Sequence, residues 1–320
     1  MIFSTPSAPG GPEVLTLAQG PDPAVADRDL LIRVAAAGVN RADALQRQGH
    51  YPPPPGAPAH PGLEVSGTVV ARGTAVSRWQ VGDEVVALLA GGGYADLVAV
   101  HESLVLPVPE GVSLVDAGGL MEAACTVWSN FQAADARAGQ TLLVHGGSGG
   151  VGSLAIQVGV AMGMRVFATA GGPARAARCE ELGAQRGIDH RTEDFVEVVR
   201  EAGGADVILD VIGAAYLERN LRALRTEGTL VVIGMQGGVK AELNLGAVLA
   251  RRLRVIGTTL RSRPLEDKAA IVAGVGRDIW PLVPHAVRPL THATYPLARA
   301  AEAHRALESG DVFGKVLLLP

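Results

Sequence analysis

The chain has 320 residues, of which 48% are hydrophobic and 19% charged, and its formal net charge is -4. This composition excludes a disordered or fibrous chain and predicts two folded domains; without a block of like charges, nucleic acid and anionic membrane are not expected as partners. Two cysteines, no apolar run of membrane-spanning length and no secretory signal predict a soluble, cytoplasmic protein.

The first third of the chain predicts an all-β region. Short β-branched or alternating stretches, at residues 30–34, 65–70 and 84–89, are separated by Gly and Pro. Residues 51–56 read Tyr-Pro-Pro-Pro-Pro-Gly, and each proline ring fixes φ and disfavours helix in the preceding residue. We expect this stiff segment to form the wall of a cleft.

From about residue 115 the pattern changes to helices alternating with apolar strands. Residues 115–132 have helical spacing, and later helices are expected to begin near Gly150, Pro173, Tyr216 and Leu245. The predicted strands are residues 141–145, 165–169, 207–210, 229–233 and 255–259. This alternation predicts an α/β fold with a doubly wound parallel sheet. We place this domain at residues 121–260, and we expect residues 261–320, with a final strand at 315–319, to rejoin a β-rich domain at 1–120.

A glycine-rich turn follows the first of these strands. Residues 141–152 read Thr-Leu-Leu-Val-His-Gly-Gly-Ser-Gly-Gly-Val-Gly, so that Gly147, Gly149 and Gly152 have G-x-G-x-x-G spacing. Gly147 would permit the tight turn, Gly149 the approach of a pyrophosphate, and Gly152 close packing of the helix. Such turns also occur for conformational reasons alone, but the strand-turn-helix setting predicts dinucleotide binding. The residues expected at the phosphates are Gly147, Ser148, Gly149, Gly150, Val151 and Gly152.

The end of the next strand predicts which dinucleotide binds. An NAD enzyme usually places Asp or Glu there, whereas residues 168–175 contain no carboxylate. Gly172, Arg175 and His190 are therefore candidate cofactor contacts: Arg175 can bind a 2′-phosphate, and His190 and Arg191 follow nearby. NADPH is therefore preferred over NADH, although all three basic residues would also be ordinary at a solvated surface.

A β-rich first part followed by a dinucleotide domain resembles the medium-chain dehydrogenase/reductase superfamily. Many of its alcohol dehydrogenases hold zinc through a Cys and through a Gly-His-Glu turn, which correspond here to Val-Asn-Arg-Ala-Asp at residues 39–43 and Gly-Leu-Glu at 62–64. These replacements bind zinc poorly, and four structural cysteines are impossible with two in the chain. We therefore expect no metal, and without a Lewis acid alcohol dehydrogenation is disfavoured.

The chain resembles most the zinc-free quinone oxidoreductase branch of that superfamily. The run Asn-Arg-Ala-Asp-Ala-Leu-Gln-Arg-Gln-Gly-His-Tyr-Pro at residues 40–52 is similar to the p53-inducible quinone oxidoreductase subgroup. Further similar runs are residues 62–67, 81–85, 88–95, 210–213 and 314–315. The resemblance implies a GroES-like catalytic domain, a Rossmann-type domain, NADPH as cofactor, a quinone or similar conjugated carbonyl as substrate, and a homodimer.

Three side chains are candidate catalytic residues on this resemblance. Tyr51 is expected beside the nicotinamide, where its hydroxyl would orient a carbonyl or relay a proton, or else it anchors its loop. Asn40 is expected to fix substrate or water, while Asp43 either faces the cleft or caps a short helix. Glu64 would need an Arg or backbone donors to be buried, and is expected to be structural.

The remaining candidates are cofactor contacts. Thr126 matches a family threonine that bonds the carboxamide, with helical back-bonding as the alternative. Lys315 is expected to reach the pyrophosphate or ribose, or to be merely exposed. Residues after the later strands, where ligands of such sheets bind, are also candidates unless they form ordinary turns: Gly213, Gly234, Met235, Gln236, Thr259, Leu260 and Arg261.

Two other functions stay open from the sequence. One is reduction of an activated C=C bond, as in enone or enoyl reductases, with Tyr51 donating the proton. The other is a non-catalytic NADPH-binding sensor or an RNA-associated protein, which the missing basic patch disfavours. The run 254–260 is a candidate edge strand that pairs across a twofold axis.

Overall fold

A computed structural model describes the whole chain, from Met1 to Pro320. By its internal contacts the chain divides into two compact units, one made of Met1–Cys125 with Leu260–Pro320 and the other of Thr126–Thr259. We call them the outer-segment unit and the central unit. None of the helices has the length and apolar character that a membrane span requires.

The secondary structure comprises fifteen strands and ten α-helices. The strands are β1 (Ile2–Pro6), β2 (Leu15–Gln19), β3 (Asp29–Val39), β4 (Glu64–Arg72), β5 (Glu84–Leu88), β6 (Leu97–His101), β7 (Val105–Pro107), β8 (Thr141–His145), β9 (Arg165–Ala170), β10 (Arg186–Asp189), β11 (Ala205–Asp210), β12 (Leu224–Val232), β13 (Arg254–Gly257), β14 (Thr291–Pro296) and β15 (Lys315–Leu319). The helices are α1 (Arg41–Arg47), α2 (Leu114–Ala117), α3 (Met121–Ala133), α4 (Gly150–Ala161), α5 (Pro173–Glu181), α6 (Phe195–Glu201), α7 (Leu217–Ala223), α8 (Leu245–Arg251), α9 (Leu265–Asp278) and α10 (Ala300–Ser309).

The outer-segment unit is built on a seven-stranded sheet of order β14-β15-β3-β4-β5-β7, with β6 also paired to β3. Its pairs are antiparallel except for β14 with β15. β15 aligns Val316 with Val39 and Leu318 with Ala37, so the last strand of the chain completes a sheet that the first hundred residues begin. The strands are rich in Val, Leu and Ile, whose branched side chains fill the buried faces of the sheet.

The central unit is a six-stranded parallel sheet of order β10-β9-β8-β11-β12-β13. Every residue of β8 is buried, as expected for a central strand covered on both faces. The predicted fold class, a Rossmann-type sheet with a GroES-like β-rich part, is confirmed. The sequence prediction missed β10 and α6, because β10 has only four residues and begins and ends with a charged side chain.

The predicted helical segment 115–132 is two helices, α2 and α3, separated at Gly118 and Gly119. A Cβ on Gly118 would lie 2.7 Å from the Cβ of Ala36, and one on Gly119 would lie 3.0 Å from Leu317 Cδ2. The glycines allow the chain to run directly against strands β3 and β15. Tertiary packing therefore interrupts a pattern that the local sequence would continue.

Candidate active site

The glycine-rich turn of the central unit connects β8 to α4. Helix α4 begins at Gly150 with Gly149 as its N-cap. A Cβ on Gly152 would lie 2.1 Å from the carbonyl oxygen of Gly146, so only glycine lets the helix approach the turn this closely. At Gly149 the nearest atom to such a Cβ is 3.5 Å away, which leaves the backbone open on that side. The N–H groups of this helix start can therefore bind phosphate.

The structure corrects the role predicted for Gly147 in this turn. The residue with positive φ is Gly146, at 70°, and the tight bend therefore depends on it. Gly147 is required for space, because its Cβ would lie 2.9 Å from both Ala168 Cβ and Cys179 Sγ. The G-x-G-x-x-G pattern could not reveal this, since the preceding position is also glycine.

Three basic side chains converge beside the end of β9. A Cβ on Gly171 would lie 3.2 Å from His190 Nε2, 3.3 Å from an Arg175 terminal nitrogen and 3.5 Å from Arg191 Nε. Arg175 Nε also donates to the Gly171 carbonyl oxygen at 2.6 Å. We call these three residues the basic cluster. Two guanidinium groups and an imidazole this close together form a site suited to a phosphate dianion.

Asp189, at the end of β10, fixes the backbone around the basic cluster. Its Oδ1 accepts the N–H groups of Gly172 at 2.8 Å and Arg191 at 3.1 Å. The hydrogen bond from Gly172 is the main reason that the pKa of Asp189 lies below its usual value. This carboxylate therefore binds the loop itself, since Oδ1 accepts backbone N–H groups and Oδ2 accepts the Thr192 hydroxyl at 3.3 Å.

The turns after β11 and β12 contact each other. A Cβ on Gly213, where φ is 78°, would lie 3.1 Å from Met235 Cα and 3.2 Å from the Gly234 carbonyl oxygen. Asp210 holds the first of these turns by accepting the N–H of Gly213 at 3.0 Å, and burial raises its pKa to about 6. Gln236 donates its N–H back to the first turn. These predicted cofactor residues thus lie together.

Thr126 begins the central unit, within α3. Its carbonyl oxygen accepts hydrogen bonds from Ser129 Oγ at 3.2 Å and Asn130 Nδ2 at 2.7 Å. Thr259, at the other end of this unit, follows β13 and is exposed. The two residues therefore mark where the chain enters and leaves the unit.

A buried ion pair occupies the outer-segment unit where the sequence placed candidate catalytic residues. Lys315 Nζ lies 2.5 Å from Glu64 Oε1 and 2.7 Å from Asn40 Oδ1. Asn40 Nδ2 also donates to Glu64 Oε1 at 3.0 Å, and Glu64 Oε2 accepts the Glu122 N–H at 2.9 Å. Glu64 thus has the cation and backbone donor that its burial requires, although the cation is Lys rather than Arg.

Lys315 lies in a place that the sequence did not predict. We expected its ammonium at the pyrophosphate or ribose, but the side chain is 8% exposed and bonds Glu64 and Asn40 within the same unit. The cause is pairing between β15 and β3, which brings the start of β15 to the end of the strand before Asn40. Leu260, also predicted as a cofactor contact, is buried in the same unit.

Asp43 is fully buried, and its carboxylate accepts hydrogen bonds from backbone N–H groups. Its Oδ2 accepts the Asn40 N–H at 2.8 Å, which caps α1, and its Oδ1 accepts the Gly62 N–H at 2.9 Å. Burial raises the pKa of Asp43 to about 6, although these two backbone hydrogen bonds oppose the rise. Of the two roles considered for Asp43, this geometry favours helix capping over contact with a substrate.

Arg261 fixes the loop that carries Tyr51. Its guanidinium donates to the Ala90 carbonyl oxygen at 2.7 Å, to the Tyr51 carbonyl oxygen at 3.3 Å and to Gln46 Oε1 at 2.6 Å. Its Cζ lies 5.3 Å from the centroid of the Tyr51 ring. Arg261 was predicted as a cofactor contact, but its donors are used inside this unit. Tyr51 is half-buried, and burial raises the pKa of its phenol.

Glu122, the second residue of α3, is a partly buried carboxyl group that the sequence prediction missed. Burial and then the nearby Glu64 carboxylate raise its pKa to about 8. The only sequence signal was a carboxylate in the apolar run around Thr126. The charges around it belong to Glu64 and Lys315, about 60 and 190 positions away along the chain, and local patterns do not reveal such neighbours.

The stiff proline segment lines a cavity of about 530 Å³ within the outer-segment unit. Pro54, Pro55 and Pro58 form one part of the lining, and Arg261 and Lys268 form a basic part. Cavities of this size hold small organic molecules. Residues 54–58 thus line an open depression in this unit, and the cleft wall stays a prediction.

The likeness to known proteins extends through both units. Residues 26–110 match the family described as alcohol dehydrogenase GroES-like domain, and residues 150–273 match zinc-binding dehydrogenase. Quinone oxidoreductase of Rattus norvegicus is 32% identical over 97% of this chain and 95% of its own. The crystal structure of Escherichia coli quinone oxidoreductase complexed with NADPH has a TM-score of 0.89 at 27% identity, covering 100% of both chains. CurK enoyl reductase has a TM-score of 0.88 at 25% identity, covering 99% of this chain and 98% of its own.

Proposed function

The chain belongs to the quinone oxidoreductase family of the medium-chain dehydrogenases/reductases, and we propose that it reduces quinones with NADPH by hydride transfer. The observation that carries the proposal is the basic cluster of Arg175, His190 and Arg191 beside an open glycine-rich turn. The bound nicotinamide supplies the hydride, while the protein orients the acceptor and excludes water. The test is NADPH oxidation with a panel of ortho- and para-quinones, and no turnover with any of them would contradict the proposal.

The 2′-phosphate of NADPH would bind to the basic cluster, and its pyrophosphate to the turn at residues 147–152. Arg175→Ala should raise the Michaelis constant for NADPH at least about tenfold and leave that for NADH nearly unchanged, because a charge-assisted hydrogen bond contributes about 1.5 to 3 kcal/mol. Arg200→Ala, at an exposed position on α6, is the matched control. An unchanged constant for NADPH in Arg175→Ala would remove that residue from the phosphate site.

We propose further that the reaction needs no zinc. The ammonium of Lys315 already supplies a positive charge between Asn40 and Glu64, in the part of the sequence where alcohol dehydrogenases of the superfamily bind the metal. A second cation at this point would be repelled by the first. Elemental analysis of the purified protein should find zinc well below one equivalent, and stoichiometric, tightly held zinc would contradict the proposal.

Tyr51 is proposed to contact the acceptor. Arg261 fixes its backbone and lies near its ring, so the hydroxyl is held on a rigid loop. Asn40 would act beside it, through the amide that already bridges Lys315 and Glu64. Tyr51→Phe should reduce kcat/KM for quinones without changing NADPH affinity, whereas unchanged kinetics would limit Tyr51 to packing.

A second candidate function is reduction of an activated C=C bond. The likeness to CurK enoyl reductase, at nearly full coverage of both chains, favours it specifically. The two functions differ in the acceptor, so parallel assays with an ortho-quinone, a 2-enal and an enoyl thioester separate them. Rapid reduction of the enal or thioester, with quinones untouched, would replace our first proposal.

We propose that the protein is a cytoplasmic homodimer. Edge strand β13 has an unpaired side, and helix α8 just before it carries Leu245 and Leu249, which are 70% and 80% exposed. Apolar side chains beside a free strand edge favour association of two copies across a twofold axis. Light scattering should give twice the chain mass, and Leu249→Glu should give the monomer. A monomeric wild-type protein would refute the dimer.

A further inference from the structure

The cavity lined by the proline segment has two chemically different sides. Strands β5 and β6, with the loops that follow them, supply an apolar side, to which residues 54–58 add proline rings. The other side carries the cations Arg261, Arg263 and Lys268, while no Asp or Glu lines the cavity. Because the formal charge of the whole chain is -4, this concentration of positive charge is a local feature.

The ammonium group of Lys268 has no partner of its own. Lys268 lies near the start of α9, is half-buried, and makes neither a hydrogen bond nor an ion pair. Burial lowers the pKa of this ammonium, and Glu122 is the carboxyl group that opposes the change. Glu122 is itself largely protonated at neutral pH, since burial raises its pKa to about 8. A bound anion would therefore give Lys268 the partner that the protein does not provide.

Arg261 connects this cavity to Tyr51. Its guanidinium lines the cavity, donates to the Tyr51 carbonyl oxygen at 3.3 Å and lies 5.3 Å from the centroid of the Tyr51 ring. The acceptors that hold the guanidinium are two carbonyl oxygens and the amide of Gln46, all of them uncharged. Arg261 thus adds positive charge to the cavity, and an acceptor in contact with Tyr51 can extend a substituent into it.

The walls of the cavity are held in place by the protein itself. The N–H of Gly92 donates to the His60 carbonyl oxygen at 2.9 Å, and a Cβ on Gly92 would lie 2.9 Å from Pro58 Cγ. The loop after β5 therefore packs directly against the proline segment, whose rings fix φ. A site formed in advance loses little conformational entropy on binding, so its contacts contribute more fully to affinity.

We propose that this cavity selects acceptors that carry a carboxylate or a similar anionic group beside the conjugated carbonyl, an inference that rests on the proposed function. The anion would bind to Lys268 beside Arg263, and the flat ring system would lie along the apolar side. A volume of about 530 Å³ is sufficient for a multi-ring quinone with such a substituent. Lys268 would thus determine which quinones bind, while the hydride transfer itself stays the same.

The kinetic test uses two quinones that differ in charge but hardly in shape, phenanthrenequinone-2-carboxylate and phenanthrenequinone-2-carboxamide. We expect the wild-type KM for the carboxylate to be at least about tenfold below that for the carboxamide, as for one charge-assisted hydrogen bond. Lys268→Met should bring the ratio of the two KM values close to one. The matched control is Arg305→Met, which removes an exposed positive charge of α10 in the same unit and should keep the wild-type ratio.

A binding test gives a readout that does not depend on turnover. Phenanthrene-2-carboxylate, which accepts no hydride, should bind to wild type at least about tenfold more tightly than phenanthrene-2-carboxamide in a fluorescence titration, and Lys268→Met should lose this preference. Equal binding of the two compounds by wild type, or an unchanged preference in Lys268→Met, would overturn the inference. Displacement of the carboxylate by NADPH would also overturn it, by assigning the cavity to the cofactor. If wild type reduces neither quinone, the proposed function fails, and the titration alone decides whether the cavity binds anions.

Discussion

Replacement of Lys315 by Met tests the central electrostatic feature of the outer-segment unit. Methionine fills most of the same volume but removes the ammonium, leaving Glu64, which is 0% exposed, without a counterion. Two neutral donors remain, the Asn40 amide and the Glu122 N–H. Breaking a buried pair by removing one partner costs about 3 to 5 kcal/mol. Because two donors remain, we expect Lys315→Met to lower the free energy of unfolding by about 3 kcal/mol.

Urea unfolding measures this loss, with the surface pair of Arg299 and Glu302 as the control. Glu302→Gln breaks an ion pair in which both side chains are exposed, and it should cause a much smaller change. Adding Glu64→Gln to Lys315→Met should restore most of the lost stability, because no buried charge remains. A loss below about 1 kcal/mol in Lys315→Met, or no recovery in the double variant, would refute this reasoning.

Three further predictions concern other residues of the candidate site. The pKa of Glu122 rises from 4.5 to about 8 on folding, so the folded protein binds an extra proton in this window and loses stability as pH increases through it. Above about pH 8, Glu122→Gln should therefore have a free energy of unfolding about 2 to 3 kcal/mol higher than wild type, a value reduced for the partial exposure of the side chain. Near pH 4.5 the two proteins should differ little, and thermal unfolding at both pH values measures the difference. Gly152→Ala should weaken NADPH binding more than tenfold by fluorescence titration, because its Cβ would overlap the Gly146 carbonyl oxygen, and equal binding would contradict the close packing described for the turn. Arg261→Lys should lower the unfolding free energy by about 1 to 3 kcal/mol, since an ammonium cannot reach all three acceptors of the guanidinium, and an unchanged urea midpoint would contradict that role.

The parts of the fold that local sequence determines were predictable. The strands at residues 141–145 and 315–319 match β8 and β15, because uninterrupted apolar runs bounded by turns have few alternatives. β10 was not predictable, since four residues that include two charges resemble a loop. The break between α2 and α3 depends on packing against β3 and β15, which no local pattern contains.

The candidate site was likewise predictable only where it depends on local sequence. The glycine-rich turn is contiguous, so its position and its helix follow from a short motif, although the bend itself is at Gly146. Arg175 and His190 were also identified because they follow successive strands, whose ends meet at one edge of a parallel sheet. Lys315 was misplaced because the pairing of β15 with β3, rather than spacing along the chain, brings it to Glu64. Glu122 was missed because it meets Glu64 only where the start of α3 packs, 58 residues further along the chain.

The position of β15 between β14 and β3 has a consequence for synthesis of the protein. The strands of the parallel sheet all lie between residues 141 and 257, but the other sheet lacks an interior strand until residues 315–319 have been made. Until then the edges of β3 and β14 stay open to mispairing. Deleting β15 should therefore harm folding far more than its five residues suggest, because both of its neighbours lose their partner strand.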